Sequence, residues 1–278
     1  AFSQVGTNCG LIGMNAAIEV DGAAYWMSEN GFFRFTGKLE SMQCLVEDYV
    51  YDDLNTTAQQ LINCGLNNLF GEIYWFYPSN SSEIINRMVS YNYLDSSPQR
   101  QIWVTSSLDR TTWSDSAVFG KPHGTKYTAG NDVSFDVVGN TEGRTAYFEH
   151  ETGTDQVEAG SVSAIAASVE SGDYDITVTK EGGATLQGDG EFLMKIRRFL
   201  PDFISQTGNT QITLNLRDYP NSSQASSPLG PFTVSSSTTK VDTRARARAV
   251  SLKIANTGTS QDWKLGTFRL DIQPDGRR

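Results

Sequence analysis

Apolar and polar positions alternate along the chain in short runs that end at turn residues. NAAIEVDGAAYWM shows near-alternation and breaks at Asp21-Gly22, which predicts a hairpin. Residues 22–37, GAAYWMSENGFFRFTG, read as two aromatic strands, YWM and FFRF, folded around Ser28-Glu29-Asn30-Gly31. The same design recurs in EIYWFYPS with MVSYNYLD and in GRTAYFEHETG, and RQIWVTSS reads as a further strand. Strand pairs built from aromatic triplets and closed by Gly, Asn, Ser and Asp are the unit of a β-propeller blade. The fold class that follows is all-β, with propeller-like blades of short antiparallel strands and one short helix. The helix is expected at NTTAQQLINCG, near 55–65: Asn55 can cap it, Ala58, Leu61 and Ile62 form an i, i+3, i+4 stripe, and Gly65 stands at the stop.

Downstream, residues 160–190 are rich in Ser, Ala, Gly and Thr, with DITVTKEGGATL as a hairpin. KIRRFLPDF reads as a strand stopped by Pro201, and TQITLNLRDYP as an alternating strand before the Ser/Pro-rich loop NSSQASSPLGP. TRARARAVSLKIAN and DWKLGTFRLDIQPDGRR close the chain as strand-like segments. The composition shift divides the chain into residues 1–158, carrying the blades and the helix, and residues 159–278, carrying further blades or a β subdomain.

With 278 residues, 25 Gly, 8 Pro and 11% aromatics, the composition suits a folded β protein with a sizeable core. No apolar run reaches the length of about 18 residues that a spanning helix needs, and the opening residues do not read as a signal segment. A net charge of −10 disfavours wrapping nucleic acid by charge neutralisation. The charge is also uneven: residues 1–100 carry 11 acidic and 4 basic side chains, and residues 241–278 carry 4 and 8. That polarity suits head-to-tail self-association, or a negative wall along which DNA slides. Cys9, Cys44 and Cys64 are odd in number and lack CxxC spacing, which predicts free, mostly buried thiols made in a reducing cytoplasm.

Candidate chemistry is sparse. The two histidines, His123 in KPHG and His150 in FEHETG, stand without a GxSxG nucleophile elbow. In a strand, Glu149 and Glu151 point away from the face of His150, so a hairpin histidine is expected rather than a metal ligand. The stretch from Ser107 through Asp109 and Arg110 to Trp113 resembles the Asp-box turn of sialidase-type propellers, one residue short and without its Gly. That turn marks a hairpin, not a glycosidase. Glu47/Asp48 and Asp52/Asp53 are paired carboxylates beside a helix start, where capping or solvation explains them. Exposed Trp and Tyr leave a sugar-stacking reading open. Arg244, Arg246 and Arg248 alternate with alanines and should project from one strand face, continued as apolar by Val250, Leu252 and Ile254. Three cations in a row need an answer: acids of a neighbouring copy, an intrachain network, or nucleic-acid backbone. No catalytic, cofactor or metal-binding motif emerges, and the expectation is a protein that is not an enzyme.

Taken in order, CGLIGMNAAIEVDGAAYWMSENGFFRFTG, EIYWFYPSNSSEIINRMVSYNY, RTTWSD, YFEHETG, ESGDYDI, RRFLPDF, RARARAVSLKI and WKLGTFRLDIQPDGRR resemble the tail-nozzle, or packaged-DNA stabilisation, proteins of short-tailed bacteriophages. The resemblance covers most of the chain, with gaps at about 121–140 and 176–188. It implies a structural virion protein of the tail, assembled in the bacterial host cytoplasm. Such a protein forms a homo-hexameric ring below the portal and adaptor, meets tail fibre or needle proteins, and holds packaged DNA until it conducts the duplex out without reading its sequence. It implies too that Ala1 lies inside a longer product whose missing blades complete the propeller. No catalytic residue carries over. The alternative is a carbohydrate-binding or sialidase-like propeller on a virion or cell surface.

Overall fold

A computed structural model describes residues 4–128, 143–158, 160–178, 184–186, 190–219, 228–256 and 258–276. The chain divides into two compact units, Ala1–Thr152 and Gly153–Arg278. A division after residue 158 would instead cut a hairpin, Asp155–Glu158 paired with Ser161–Ala164.

Both units are built from small antiparallel sheets, and the all-β class holds. In the first unit β1 (Ala17–Val20), β2 (Ala23–Ser28), β3 (Gly31–Phe35) and β4 (Leu39–Met42) form a four-stranded meander. A short helix α1 (Glu47–Asp52) follows it. A second meander contains β5 (Asn63–Asn67), β6 (Glu72–Tyr77), β7 (Arg87–Ser97) and β8 (Arg100–Ser106). A third sheet, of three strands, holds β9 (Thr112–Ser114), β10 (His123–Thr128) and β11 (Arg144–Glu149), with the one-turn helix α2 (Ser116–Phe119) between β9 and β10. The Asp21-Gly22 and Glu29-Asn30 turns sit where the pattern predicts, between Val20↔Ala23 and Ser28↔Gly31.

Why β6 is so aromatic follows from its place. Ile73, Trp75 and Tyr77 face a core shared with the first meander, including Met27 and Phe32. Tyr74 and Phe76 face the other way, into a second core with Ile85, Met88, Leu108 and Trp113. A strand covered on both faces needs an unbroken apolar run. Phe32 anchors the first core, with ring centroids 5.0 Å from Trp75 and 4.7 Å from Trp103. The two meanders therefore stack through side chains in the manner of blades.

The helix expected at 55–65 does not form. Asn55 does act as a turn residue, accepting from the Thr57 amide at 2.9 Å. The segment then makes only a single 3-10 turn, Gln59–Leu61, and Cys64 and Gly65 lie in β5, paired with Trp75 and Tyr74. Two β-branched threonines and one turn's worth of hydrogen bonds cannot outweigh a full ladder to β6. The true helix lies upstream, where Glu47 and Asp48 occupy the first turn of α1 and favour its positive end.

In the second unit the hairpin β12 (Asp155–Glu158) and β13 (Ser161–Ala164) comes first. Next are β14 (Ala167–Glu170), β15 (Ile176–Val178), β16 (Ala184–Leu186), β17 (Met194–Leu200), β18 (Phe203–Thr207), β19 (Thr210–Arg217) and β20 (Leu229–Val234). The unit ends with β21 (Val241–Ala247), β22 (Ala249–Asn256), β23 (Asp262–Leu265) and β24 (Arg269–Pro274). A four-stranded sheet ordered β14-β22-β19-β20 and a three-stranded sheet ordered β21-β17-β24 share one core. Ile212, Leu214, Val250, Leu252 and Ile254 come from the first, and Met194, Ile196, Phe199 and Ala245 from the second. This is face-to-face sheet packing, and its strand order departs from the simple meander of the first unit. The DITVTKEGGATL hairpin forms as β15 and β16. Its turn, and most of the loop NSSQASSPLGP, fall outside the described residues. Among the described residues no helix is long and apolar enough to cross a membrane.

Candidate interaction surface

The arginine run sits on β21, whose exposure alternates as the sequence pattern requires. Ala245 and Ala247 are buried, while Arg244 and Arg246 are exposed. Arg248 departs from the expectation. It lies at the corner between β21 and β22, where the chain leaves one sheet and enters the other. Because the corner carries the strand across the core, even-numbered residues point outward before it and inward after it. Val250, Leu252 and Ile254 are therefore core rather than an apolar continuation of the cationic face. Arg248 itself donates to the backbone carbonyls of Gly190 at 3.0 Å and Glu191 at 2.7 Å, which makes it a brace for the corner.

Strand β17 adds cations that reading the RARAR run alone misses. Lys195 and Arg197 are exposed and alternate with buried Met194 and Ile196. Lys195 stands directly across from Arg246, and a bulge between Ile196 and Arg198 brings Arg197 beside the Arg244 segment. The signal was present in KIRRF, whose Lys195 and Arg197 share one strand face and come beside Arg246 and the Arg244 segment once the two strands pair.

Together Lys195, Arg197, Arg244 and Arg246 line an open groove of about 440 Å³ with Thr243, Ala245 and Asp275. Arg246 Nε donates to the Asp275 carboxylate, the one acid in that lining. Arg198, on the bulge, reaches Asp271 at 3.4 Å and Asp242 at 3.7 Å. Part of the positive charge is thus answered inside the unit, as the intrachain alternative requires. Like charges directly opposite on a sheet face are destabilising, and Asp275 offsets the Lys195–Arg246 pairing from the Arg246 side. The charge of the chain is divided to match: residues 1–152 carry 18 acidic and 8 basic side chains, whereas residues 153–278 carry 14 of each.

The remaining candidate residues fall into structural positions. Trp113 lies flat against Gly65 and donates to the Leu66 carbonyl at 2.8 Å. Asp109 of the Asp-box-like turn accepts from Arg110 Nη1 at 2.8 Å and faces Lys126 Nζ at 3.1 Å. Arg110 is buried, its guanidinium 4.2 Å from the Phe148 ring centroid, and its Nε donates to His150 Nε2 at 2.9 Å. His150 also packs on Trp113, with ring centroids 4.6 Å apart. Burial, the Arg110 cation and His123 push His150 down to about 4, so it is a neutral acceptor that locks the turn to β11. His123 stacks on Tyr147 at 5.1 Å.

The acidic pairs part company. Asp53 meets Arg87 at 3.1 Å, and Glu47 packs over the Gly31 turn, its carboxyl raised by burial and then by Asp48. Asp48 and Asp52 are exposed. Tyr74 donates to Glu72 at 2.7 Å and accepts from Asn67 at 2.9 Å, an arrangement buried against Trp113. The Glu72 carboxyl is likewise raised, first by burial. Cys9, Cys44 and Cys64 are free, and burial pushes the Cys44 thiol up to about 12 and Cys64 higher still. Among the described residues no group of three or more His, Cys, Asp or Glu side chains could hold a metal ion. Comparison with models of known protein families finds no match for this chain, and comparison with curated proteins finds none at a significant level.

Proposed function

We propose that the chain is a structural subunit of a short-tailed phage tail nozzle that closes into a homo-hexameric ring, retains packaged DNA and conducts it during ejection. The observation that carries the reading is the division of charge. One unit holds the whole net charge of −10, and the other presents a cationic groove of Lys195, Arg197, Arg244 and Arg246. A body with opposite signs at two places associates head to tail, and such contacts generate rings when the rotation closes. The blade-like meanders suit a wall: their cores are filled by interlocked aromatics, and the residues that carry the nozzle resemblance supply β1–β3, β6 and β7. Acidic side chains along a lumen would repel the duplex and let it pass without sticking. The ring would meet the adaptor and portal on one side and fibre or needle proteins on the other.

Negative-stain microscopy and native mass spectrometry of the purified chain at low salt test this reading. Rings support it; a monomer at tens of micromolar refutes it. Mass spectrometry of purified virions tests membership of the tail.

A second reading rests on a different groove, of about 480 Å³, where Arg34, Glu40, Gln43, Tyr93, Ser96 and Gln101 set planar polar groups around a half-buried aromatic. That combination suits a sugar ring. A glycan array without hits, together with no turnover of sialosides, removes it.

A further inference from the structure

We infer that the cationic groove receives the outer face of α1 from a neighbouring copy of this chain, a contact that names the partner surface within the ring reading above and rests on that reading. The face is built as a rigid plug. Its inner side is fastened: Val50 is fully buried, and the Tyr51 hydroxyl donates to the Ser28 carbonyl at 2.6 Å while accepting from the Gly31 amide at 3.2 Å. The outer side presents Leu45, Asp48, Tyr49 and Asp52. Leu45 is 79% exposed and Tyr49 56%. Neither carboxylate has an ion-pair or hydrogen-bond partner among the described residues. What favours a partner here is charge complementarity: two acids without an ion pair among the described residues, flanked by Leu45 and Tyr49, match a groove lined by four cations.

The dimensions agree. Asp48 and Asp52 are four residues apart on a helix, so their Cβ atoms stand about 6 Å apart. Arg244 and Arg246 are two residues apart on a strand, a spacing of about 6.8 Å, and the neighbouring strand that carries Lys195 lies about 4.8 Å away. Each carboxylate can therefore meet one cation of the groove, Arg244 in a bidentate pair and Lys195 as a point charge. Arg197, Arg244 and Lys195 make no hydrogen bond or ion pair among the described residues, so they are available without breaking the unit's own network. Tyr49, between the two acids, is exposed and within reach of a guanidinium entering beside them. The aliphatic stems of Lys195 and the arginines meet Leu45.

The test is charge exchange in the full chain. One variant carries Asp48→Arg and Asp52→Arg, the other Lys195→Glu and Arg244→Glu. Each alone should weaken ring assembly at least about 100-fold, the loss expected for two charge-assisted pairs, with circular dichroism unchanged. An equimolar mixture of the two should recover mixed assemblies, which also proves that both are folded. Rings from either variant alone with wild-type salt resistance, or no recovery on mixing, overturn the contact while leaving the ring reading intact. A wild-type chain that never assembles overturns both. If the wild type shifts a DNA duplex and Lys195→Glu/Arg244→Glu abolishes that shift without disturbing rings, the groove serves nucleic acid and the contact is refuted.

Discussion

Acidification should unfasten the turn that joins the third sheet to its neighbour, and His150 sets the pH at which this happens. Its Nε2 accepts from the Arg110 guanidinium at 2.9 Å, so a proton there removes the acceptor and places two cations in contact. The folded chain holds His150 at about 4, and the unfolded chain returns it to 6.5. The unfolded state therefore binds the extra proton first as pH falls. Stability is unaffected above pH 6.5, declines between 6.5 and 4, and loses nothing more from this group below 4. The full difference corresponds to roughly 3 kcal/mol. Because the imidazole is half-buried rather than enclosed, solvent screening reduces the expected loss to about 2 kcal/mol. Urea unfolding followed by tryptophan fluorescence reads this unit well, since Trp26, Trp75, Trp103 and Trp113 all lie in residues 1–152. The control is His150→Gln, whose amide oxygen can accept from Arg110 but does not titrate. Subtracting the variant's pH profile from the wild type's removes the carboxylates that titrate in the same window. The difference should fall by about 2 kcal/mol from pH 6.5 to 4. Superimposable profiles, or a His150 ring proton in NMR that titrates near 6.5, would refute the buried-acceptor assignment.

Other perturbations test the packing and the buried polar groups. Phe32→Ala empties the centre of the first core and should cost about 3–5 kcal/mol in urea unfolding, with tryptophan emission shifted to the red. Gly65→Ala would set a Cβ 2.5 Å from Trp113 Cδ1, so the indole must leave its seat; a loss of about 2 kcal/mol is expected, and an unchanged urea midpoint would mean that the stacking is slack. Glu72→Gln should raise the urea midpoint slightly at pH 7, because burial penalises the charged carboxylate, and the gain should vanish near pH 4, where the wild-type group is protonated. Arg110→Met leaves Asp109 to Lys126 alone and strips His150 of its donor, and about 3 kcal/mol of destabilisation is expected in the same assay.

Much of the fold was legible because local chemistry and tertiary pairing agree. The turns at Asp21-Gly22 and Glu29-Asn30 demand hairpins, and the aromatic triplets sit in the strands expected of them. The helix was misplaced because a capping residue and an apolar stripe are local signals, whereas the claim of β6 on Cys64 and Gly65 comes from residues about ten positions away. The cationic surface was half legible. Arg244 and Arg246 declare a strand face by alternation, but Lys195 and Arg197 join them only through the β17–β21 register, which no single segment encodes. Arg248 obeys the same alternation on paper and escapes it because the backbone turns a corner there. Asp275 joins the groove from 29 residues beyond Arg246, too far for spacing to suggest the pair.

That corner has a consequence for how this region can vary. One continuous odd–even count governs both the charged exterior of β21 and the oily interior of β22, with Arg248 as the hinge of the bookkeeping. Replacing any single side chain on the outside leaves the count intact, so the groove's charge is free to drift residue by residue. Deleting or inserting one residue between Arg244 and Val250 reverses the count on one side, sending arginines into the sandwich or leucine and isoleucine into water. Evolution in this stretch is therefore confined to spelling changes and barred from changes of length.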